Sequence, residues 1–281
     1  MVARVRKLTG VRKVGHAGTL DPFATGLLVV GVGKATRMIQ YVQRTTKVYQ
    51  ASLKLGEETD TLDLEGSVAF RCENPVWPSR QDVETAIAES VGTIDQVPPA
   101  HSAIHIDGKR AYERARAGEQ VDIPTRTVVI HSISVDSYNA PSLDLTVTCE
   151  TGTYIRSLAR DIGRRLGVYA YCTALRRVAV GAFHIDDAVE LEGLTGDDFR
   201  DRWTEVAIPP DVAVEGFKAI MLTEDQTTAW YHGQSLPEAP GTPGGDSDTL
   251  VRVYSASGGF AGLGTYDGAR GLRPVLVFTT G

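Results

Sequence analysis

The sequence predicts an α+β protein, with a larger mixed domain over residues 1–210 and a small β-rich domain over residues 211–281. Three observations predict it. The chain has 281 residues, enough to bury one sizeable core and a second, smaller one. Alternating strand patterns are interspersed with helical ones, without an internal repeat. Pro209-Pro210 marks a boundary, beyond which Val251 to Phe278 reads as short, glycine-punctuated strands.

The elements follow in order. In Gly15-His16-Ala17-Gly18-Thr19-Leu20-Asp21-Pro22-Phe23-Ala24-Thr25-Gly26, Pro22 fixes its own φ and pushes Asp21 out of the α region. Gly15, Gly18 and Gly26 permit tight turns or close backbone approach. Leu27 to Val32 is a short apolar run that suits a buried strand, so Asp21 is expected on a loop entering the core. Lys34 to Arg44 reads as a helix with Ala35, Met38, Ile39 and Val42 on one face. Lys47 to Leu55 alternates as a strand, with Tyr49, Ala51, Leu53 and Leu55 on one side, and an acidic loop runs from Glu57 to Gly66. Ser79 with Asp82 is placed as a capping box, opening a helix to about Val91. Pro98-Pro99 interrupts regular structure; then come a strand from Ser102 to Ile106, a turn at Asp107-Gly108 and a helix from Lys109 to Ala117. Thr127 to Val135 and Leu143 to Cys149 pair as strands around Asn139-Ala140-Pro141. Thr153 to Leu166 is an Arg-rich helix ended by Gly167, Val178 to Ile185 a further strand, and Pro237 to Gly245 a loop.

Hydrophobic residues make up 42% of the chain and charged ones 23%, the balance of an ordinary globular protein. Neither a membrane-spanning run nor a signal peptide is read, and three cysteines without metal-like spacing fit a reducing cytoplasm. The net charge of −6 is unevenly spread. Through Gly56 there are ten Lys or Arg against Asp21 alone, while Ala182 to Leu250 holds fifteen acids against three basic residues. A second basic cluster joins Arg156, Arg160, Arg164, Arg165, Arg176 and Arg177. Such asymmetry marks polyanion-binding faces on an acidic protein, or else solvated faces.

Asp21 is the main candidate for chemistry: a carboxylate set among small residues, rigidly aimed by the following proline. Asp-Pro also opens ordinary turns, and local chemistry alone leaves both readings standing. Gly31-Val32-Gly33-Lys34-Ala35-Thr36 is not a phosphate loop, since Leu28 and Ala35 occupy positions that need glycine and Ser or Thr. The six histidines form no zinc set. In Gly152-Thr153-Tyr154-Ile155-Arg156, an aromatic and an arginine open a helix after a strand, where an arginine can grip a carboxylate or phosphate.

Together and in this order, these segments resemble the TruB-type family of tRNA pseudouridine synthases. The residues are Gly15 to Pro22 with Ala24-Thr25-Gly26, Lys47 and Tyr49, then Thr59-Asp60-Thr61 and Asp63. Gln96-Val97-Pro98-Pro99 with Ser102-Ala103, Gly108 and Tyr112 follow, then Gly152 to Arg156 and Leu175-Arg176-Arg177. The tail, Gly262-Leu263-Gly264 with Leu272 to Phe278, looks more loosely like the end of a PUA-type RNA-binding domain.

The resemblance implies the pseudouridine-synthase fold, with a mixed, largely antiparallel central sheet, flanking helices and a PUA-like C-terminal domain. It implies isomerisation of the T-loop uridine (position 55) of tRNA, without cofactor or metal, by a cytoplasmic monomer that flips the target base. Asp21 matches the catalytic carboxylate, either as nucleophile or as the group that starts glycosidic cleavage, and Arg156 its partner. Tyr49 matches the aromatic that stacks on the base, Tyr154 a second active-site tyrosine, Leu175 an apolar wall and His16 an RNA contact. Lys47, Arg12, Lys13 and Arg176 are expected on the RNA, with both basic clusters holding phosphates of the T-arm. The family also leads one to expect a strand ahead of Gly10-Val11-Arg12, where this chain is short; its loss would expose a sheet edge. His105 stands where the family generally has Lys, which is expected to weaken a contact. Two other readings stay open: an RNA-binding protein or tRNA-folding chaperone with impaired catalysis, and a small-molecule hydrolase using Asp21, which no second acid, metal set or nucleotide motif supports.

Overall fold

The structure is a computed structural model and describes residues 1–102, 105–106, 109–110, 123–190, 199–237, 249–267 and 271–279. The chain opens with α1 (Val2–Thr9), β1 (Val14–His16), β2 (Thr25–Gly26), β3 (Val30–Val32) and α2 (Ile39–Gln43). Next come β4 (Lys47–Leu55), β5 (Glu57–Thr59), β6 (Val68–Arg71), α3 (Arg80–Ala88), β7 (Gly92–Gln96), β8 (His105–Ile106) and β9 (Lys109–Arg110). They are followed by β10 (Arg126–Asn139), β11 (Ser142–Cys149), α4 (Ile155–Arg165), β12 (Ala170–Val180), β13 (Phe183–His184) and α5 (Phe199–Arg202). Last are β14 (Ala219–Met221), α6 (Glu224–Tyr231), β15 (Thr249–Tyr254), β16 (Phe260–Asp267) and β17 (Gly271–Val277).

The chain forms two compact units, neither continuous in sequence. The first joins Thr19–Leu28 to Arg44–Asp186. Its sheet has the order β13-β12-β4-β11-β10-β7, antiparallel throughout except where β2 lies parallel on β12. Alternation in β4 puts Ala51, Leu53 and Leu55 in the interior, as expected for a half-buried strand. α3 and α4 cover this sheet: Val83 and Ile87, with Ile155, Leu158 and Ile162, pack against Leu143, Leu145 and Val147 of β11. Each such side chain, fully buried, contributes about 1.5–3 kcal/mol. Gly163 allows α4 to touch the start of β12, since a Cβ there would lie 2.2 Å from the Ala170 amide nitrogen.

The second unit joins Met1–Gly18 and Val29–Gln43 to Asp187–Gly281. Its four-stranded sheet, β14-β15-β16-β17, surrounds a fully buried Trp230 whose indole N–H donates to Ala261 O at 2.9 Å. Met38 packs with Val214, Leu263, Leu276 and Phe278, and the Lys34 ammonium reaches Thr279 O at 3.0 Å. α1 occupies the first residues, for which the sequence suggested no element.

Several elements differ from expectation. Val178 to Ile185 is only the end of a longer hairpin: β12 begins at Ala170, and β13 is Phe183–His184. Two register shifts, at Cys172/Ala174 and Arg177/Ala179, break the period-two pattern and hide the strand. The run Leu27 to Val32 is not a buried core strand. Only Val30–Val32 is extended, half-buried, and paired with β1 in a separate ribbon. Lys34 to Arg44 begins as a 3-10 turn, Gly33–Met38, before α2. The acidic stretch from Glu57 is the β5–β6 ribbon, where Glu57 pairs with Lys54 and Arg71, and buried Glu58 with Arg164. The Ser79–Asp82 capping box is present, and α3 ends at Ala88 rather than near Val91. Lys109-Arg110 is extended rather than helical. Asp107-Gly108, residues 111–117, Tyr112, the His105 side chain and the loop from Glu238 to Gly245 lie outside the described residues.

Candidate active site

The first unit brings Asp21, Tyr49, Tyr154, Arg156 and Leu175 together through the loop before β2, the start of β4, the first turn of α4 and the middle of β12. The loop is sewn to the sheet. Leu27 N donates to Arg177 O at 2.8 Å, and a Cβ on Gly26 would stand 2.3 Å from that same carbonyl. Only glycine, with φ +96°, fits there. The Arg177 side chain, 3% exposed, anchors the other side by donating Nε–H to Leu27 O at 2.9 Å.

Asp21, half-exposed at the end of this loop, accepts two parallel hydrogen bonds from Arg156: Nε to Oδ2 at 2.8 Å and Nη2 to Oδ1 at 2.9 Å. This fork fixes both carboxylate oxygens. Arg156 is itself held, at 3% exposure. Its Nη1 donates to Thr61 O at 2.8 Å and Asp63 Oδ2 at 3.1 Å, and its Nη2 to His101 O at 3.1 Å. All five guanidinium N–H groups are thereby used.

Asp63 is buried, and its Oδ1 accepts from Thr61 Oγ1 at 2.6 Å and from Glu65 N at 3.0 Å. The turn that presents it is strained: Leu62, a bulky residue, has φ 61°. Its carbonyl accepts from Cys172 N at 3.1 Å, which ties the turn to β12. The Thr59 to Asp63 motif is visible in sequence, but not that Asp63 shares Arg156 with Asp21.

The tyrosines line this centre. Burial pushes both phenols above their ordinary value, although Arg177 opposes this at Tyr49 and Arg126 at Tyr154. Both therefore enter as neutral phenols. Leu175 is 6% exposed and packs in the core with Phe23 and Ala24 alongside. Lys47 is also buried: its Nζ donates to Thr45 O, and burial pushes its ammonium below the usual lysine range. Arg176 is exposed.

The second basic cluster corrects an expectation. Five of its six arginines hold the fold rather than stand free for phosphate. Arg156 serves Asp21 and Asp63, and Arg177 serves the loop. Arg160 bonds Asp161 at 2.8 Å and Val97 O at 3.0 Å; Arg164 grips Glu58 with two bonds; Arg165 meets Glu89 at 3.0 Å. Glu58 and Glu89 arrive from distant segments, so counting charge along the chain cannot see the pairing. In the other unit, Arg12 and Lys13 are exposed, and the His16 Nδ1 accepts from Gly18 N at 3.3 Å. Among the described residues no three His, Cys, Asp or Glu side chains gather as a metal site, and no helix is long and apolar enough to cross a membrane.

Comparison with known proteins places this arrangement. The N-terminal domain model of the TruB family of pseudouridylate synthases matches residues 6–155, more than half of the chain. The chain belongs to the TruB family. Two further TruB models, both of C-terminal domains, match residues 156–206 and 219–278. The chain is 39% identical to the tRNA pseudouridine synthase B of Paenarthrobacter aurescens (strain TC1), covering 100% of this chain and 91% of that protein. It is 42% identical to the protein of the same name from Leifsonia xyli subsp. xyli, covering 94% and 86%. Its fold is similar to a chain in the structure of an H/ACA RNP bound to a substrate RNA containing 2'-deoxyuridine: TM-score 0.71, 23% identity, 99% of this chain and 80% of that one. The α+β fold with a β-rich C-terminal part is thus a TruB-type pseudouridine-synthase fold.

Proposed function

We propose that the chain isomerises a uridine of tRNA to pseudouridine, and that the target is the T-loop uridine at position 55. The observation that carries this reading is the Asp21 carboxylate, half-exposed yet fixed at both oxygens by a buried arginine. In the proposed reaction the N1–C1′ bond breaks, the uracil turns over, and a C5–C1′ bond forms. The proton lost from C5 balances the one gained at N1, so the change is an isomerisation. Asp21 starts the cleavage. Tyr49 stacks on the base, which must leave its own stack to reach the carboxylate. Leu175 forms an apolar wall, and Tyr154 stands where the C5 proton departs.

On this reading Arg12, Lys13 and Arg176 meet phosphates of the T-arm, His16 touches the RNA, and Lys47 steadies the base of the strand that carries Tyr49. The segment from 211 to 281 serves as the RNA-binding domain, and residues 1–210 as the catalytic one. The working unit is a cytoplasmic monomer.

The test is tritium release from tRNA labelled at uridine C5. The wild-type chain should release tritium, and Asp21→Asn should lower the rate by at least ~10³-fold while tRNA affinity in filter binding stays within about threefold. Release by the variant at the wild-type rate overturns the reading. Tight tRNA binding by a wild-type chain that makes no pseudouridine would point instead to an RNA-folding role.

A further inference from the structure

α4 carries Arg156 in its first turn, yet its N-cap residue, Tyr154, makes no capping bond with its own side chain. Another residue supplies the missing constraint. Gln96, the last residue of β7, is 0% exposed. Its Oε1 accepts from Tyr154 N at 2.8 Å, and its Nε2 donates to Tyr154 O at 3.1 Å. Tyr154 is extended, with φ −104° and ψ 108°, so its N–H and C=O point to the same side, as in a strand. The glutamine amide thus pairs with it as a neighbouring strand's peptide would.

We propose that Gln96 is a positioning residue for the isomerisation: its amide clamps the Tyr154 backbone and so sets the placement of both Tyr154 and Arg156. The inference rests on the functional reading above. The side-chain chemistry is selective. Glutamine offers a planar acceptor and donor at this reach; asparagine is a methylene shorter, leucine has neither group, and glutamate gains a donor only when protonated.

The neighbouring chain extends the clamp. Val97 O accepts from Ser157 Oγ at 2.8 Å and from Arg160 Nη2 at 3.0 Å, and His101 O accepts from Arg156 Nη2. The segment from Gln96 to His101 therefore wraps the first turn of α4. Tyr154 and Arg156 are two residues apart, so a rotation of the Tyr154 backbone moves both. A displacement near 1 Å at such a site lowers a rate by up to about 10²-fold.

The experiment compares full-length wild type, Gln96→Leu and Gln96→Glu in single-turnover assays, filter binding and thermal melting. Gln96→Leu should lower the single-turnover rate about 10- to 100-fold, with tRNA affinity within about threefold. Gln96→Glu supplies a signature that a merely structural role would not move. Burial raises its carboxyl pKa, and the protonated form can donate to Tyr154 O as the amide did. Its rate relative to wild type should climb as pH falls from about 8 to about 6, while the Gln96→Leu ratio stays flat. A wild-type rate in folded Gln96→Leu, or a flat ratio for Gln96→Glu, overturns the inference. If Gln96→Leu does not fold, the Gln96→Glu ratio decides alone. A wild-type chain that forms no pseudouridine would sink the functional reading instead, which keeps the two failures distinct.

Discussion

At the scale of single residues, the site is a chain of custody that ends on one carboxylate. Asp63 and two carbonyls hold Arg156, and Arg156 holds Asp21. Converting Asp63 to asparagine keeps the shape and removes the charge, so the bond to the guanidinium weakens. A charged hydrogen bond is worth about 1.5–3 kcal/mol, so Asp63→Asn should slow single-turnover isomerisation by about 10- to 100-fold. Filter binding should show unchanged affinity for tRNA; a rate equal to wild type would show that Thr61 O and His101 O suffice. The rigid, open loop around Asp21 was legible in the sequence from a proline and flanking glycines, although local chemistry alone left Asp21 between a reactive carboxylate and a turn residue. The tasks of Asp63 and Gln96 were not legible. Their bonds to Arg156 and Tyr154 span 93 and 58 residues, and no local pattern encodes a partner at that distance.

At the scale of elements, strands and helices with a clean period were readable, and those with an interrupted one were not. β4 was expected over Lys47 to Leu55 and runs over those residues. Of β12 only the end, from Val178, is readable, because two register shifts turn the preceding side chains out of alternation. α4 was legible, but its arginines read as an RNA face when most of them bind acids within the fold. Gly163 illustrates how an element is placed by what it lacks. Alanine is the better helix former by about 1 kcal/mol. Here, however, its Cβ would stand 2.2 Å from a backbone nitrogen, and backbone cannot yield as a flexible side chain does. Such overpacking costs about 1–3 kcal/mol, so Gly163→Ala should lower stability on balance. Urea denaturation measures it, and a stabilised variant would show that α4 and β12 separate easily.

At the scale of the whole molecule, buried ionisable groups set a limit on alkaline stability. Burial pushes the thiol of Cys149 up to about 11 and that of Cys172 up to about 12, from an ordinary value of 9.0. The folded chain keeps these protons after the unfolded chain has released them. Their stabilisation is complete below about pH 9 and is lost as pH rises toward 11 and 12. Lys47, lowered by burial, works in the opposite sense, since the folded chain sheds that proton first. The urea midpoint should therefore fall above about pH 9, and fall less steeply in Cys172→Ala. Equal slopes would exclude the thiol as the cause. Length and a diproline suggested two parts to the chain, but not that Met38 packs with Leu263 and Phe278, because that contact joins segments far apart in sequence. The short parallel pairing of β2 on β12 carries one more consequence. Asp21 is gripped by Arg156 and Leu27 by Arg177, with no slack between. Surface loops ordinarily accept insertions and deletions. This one has a fixed length, so an added or missing residue must release one grip or the other, and the segment is free to vary only by substitution.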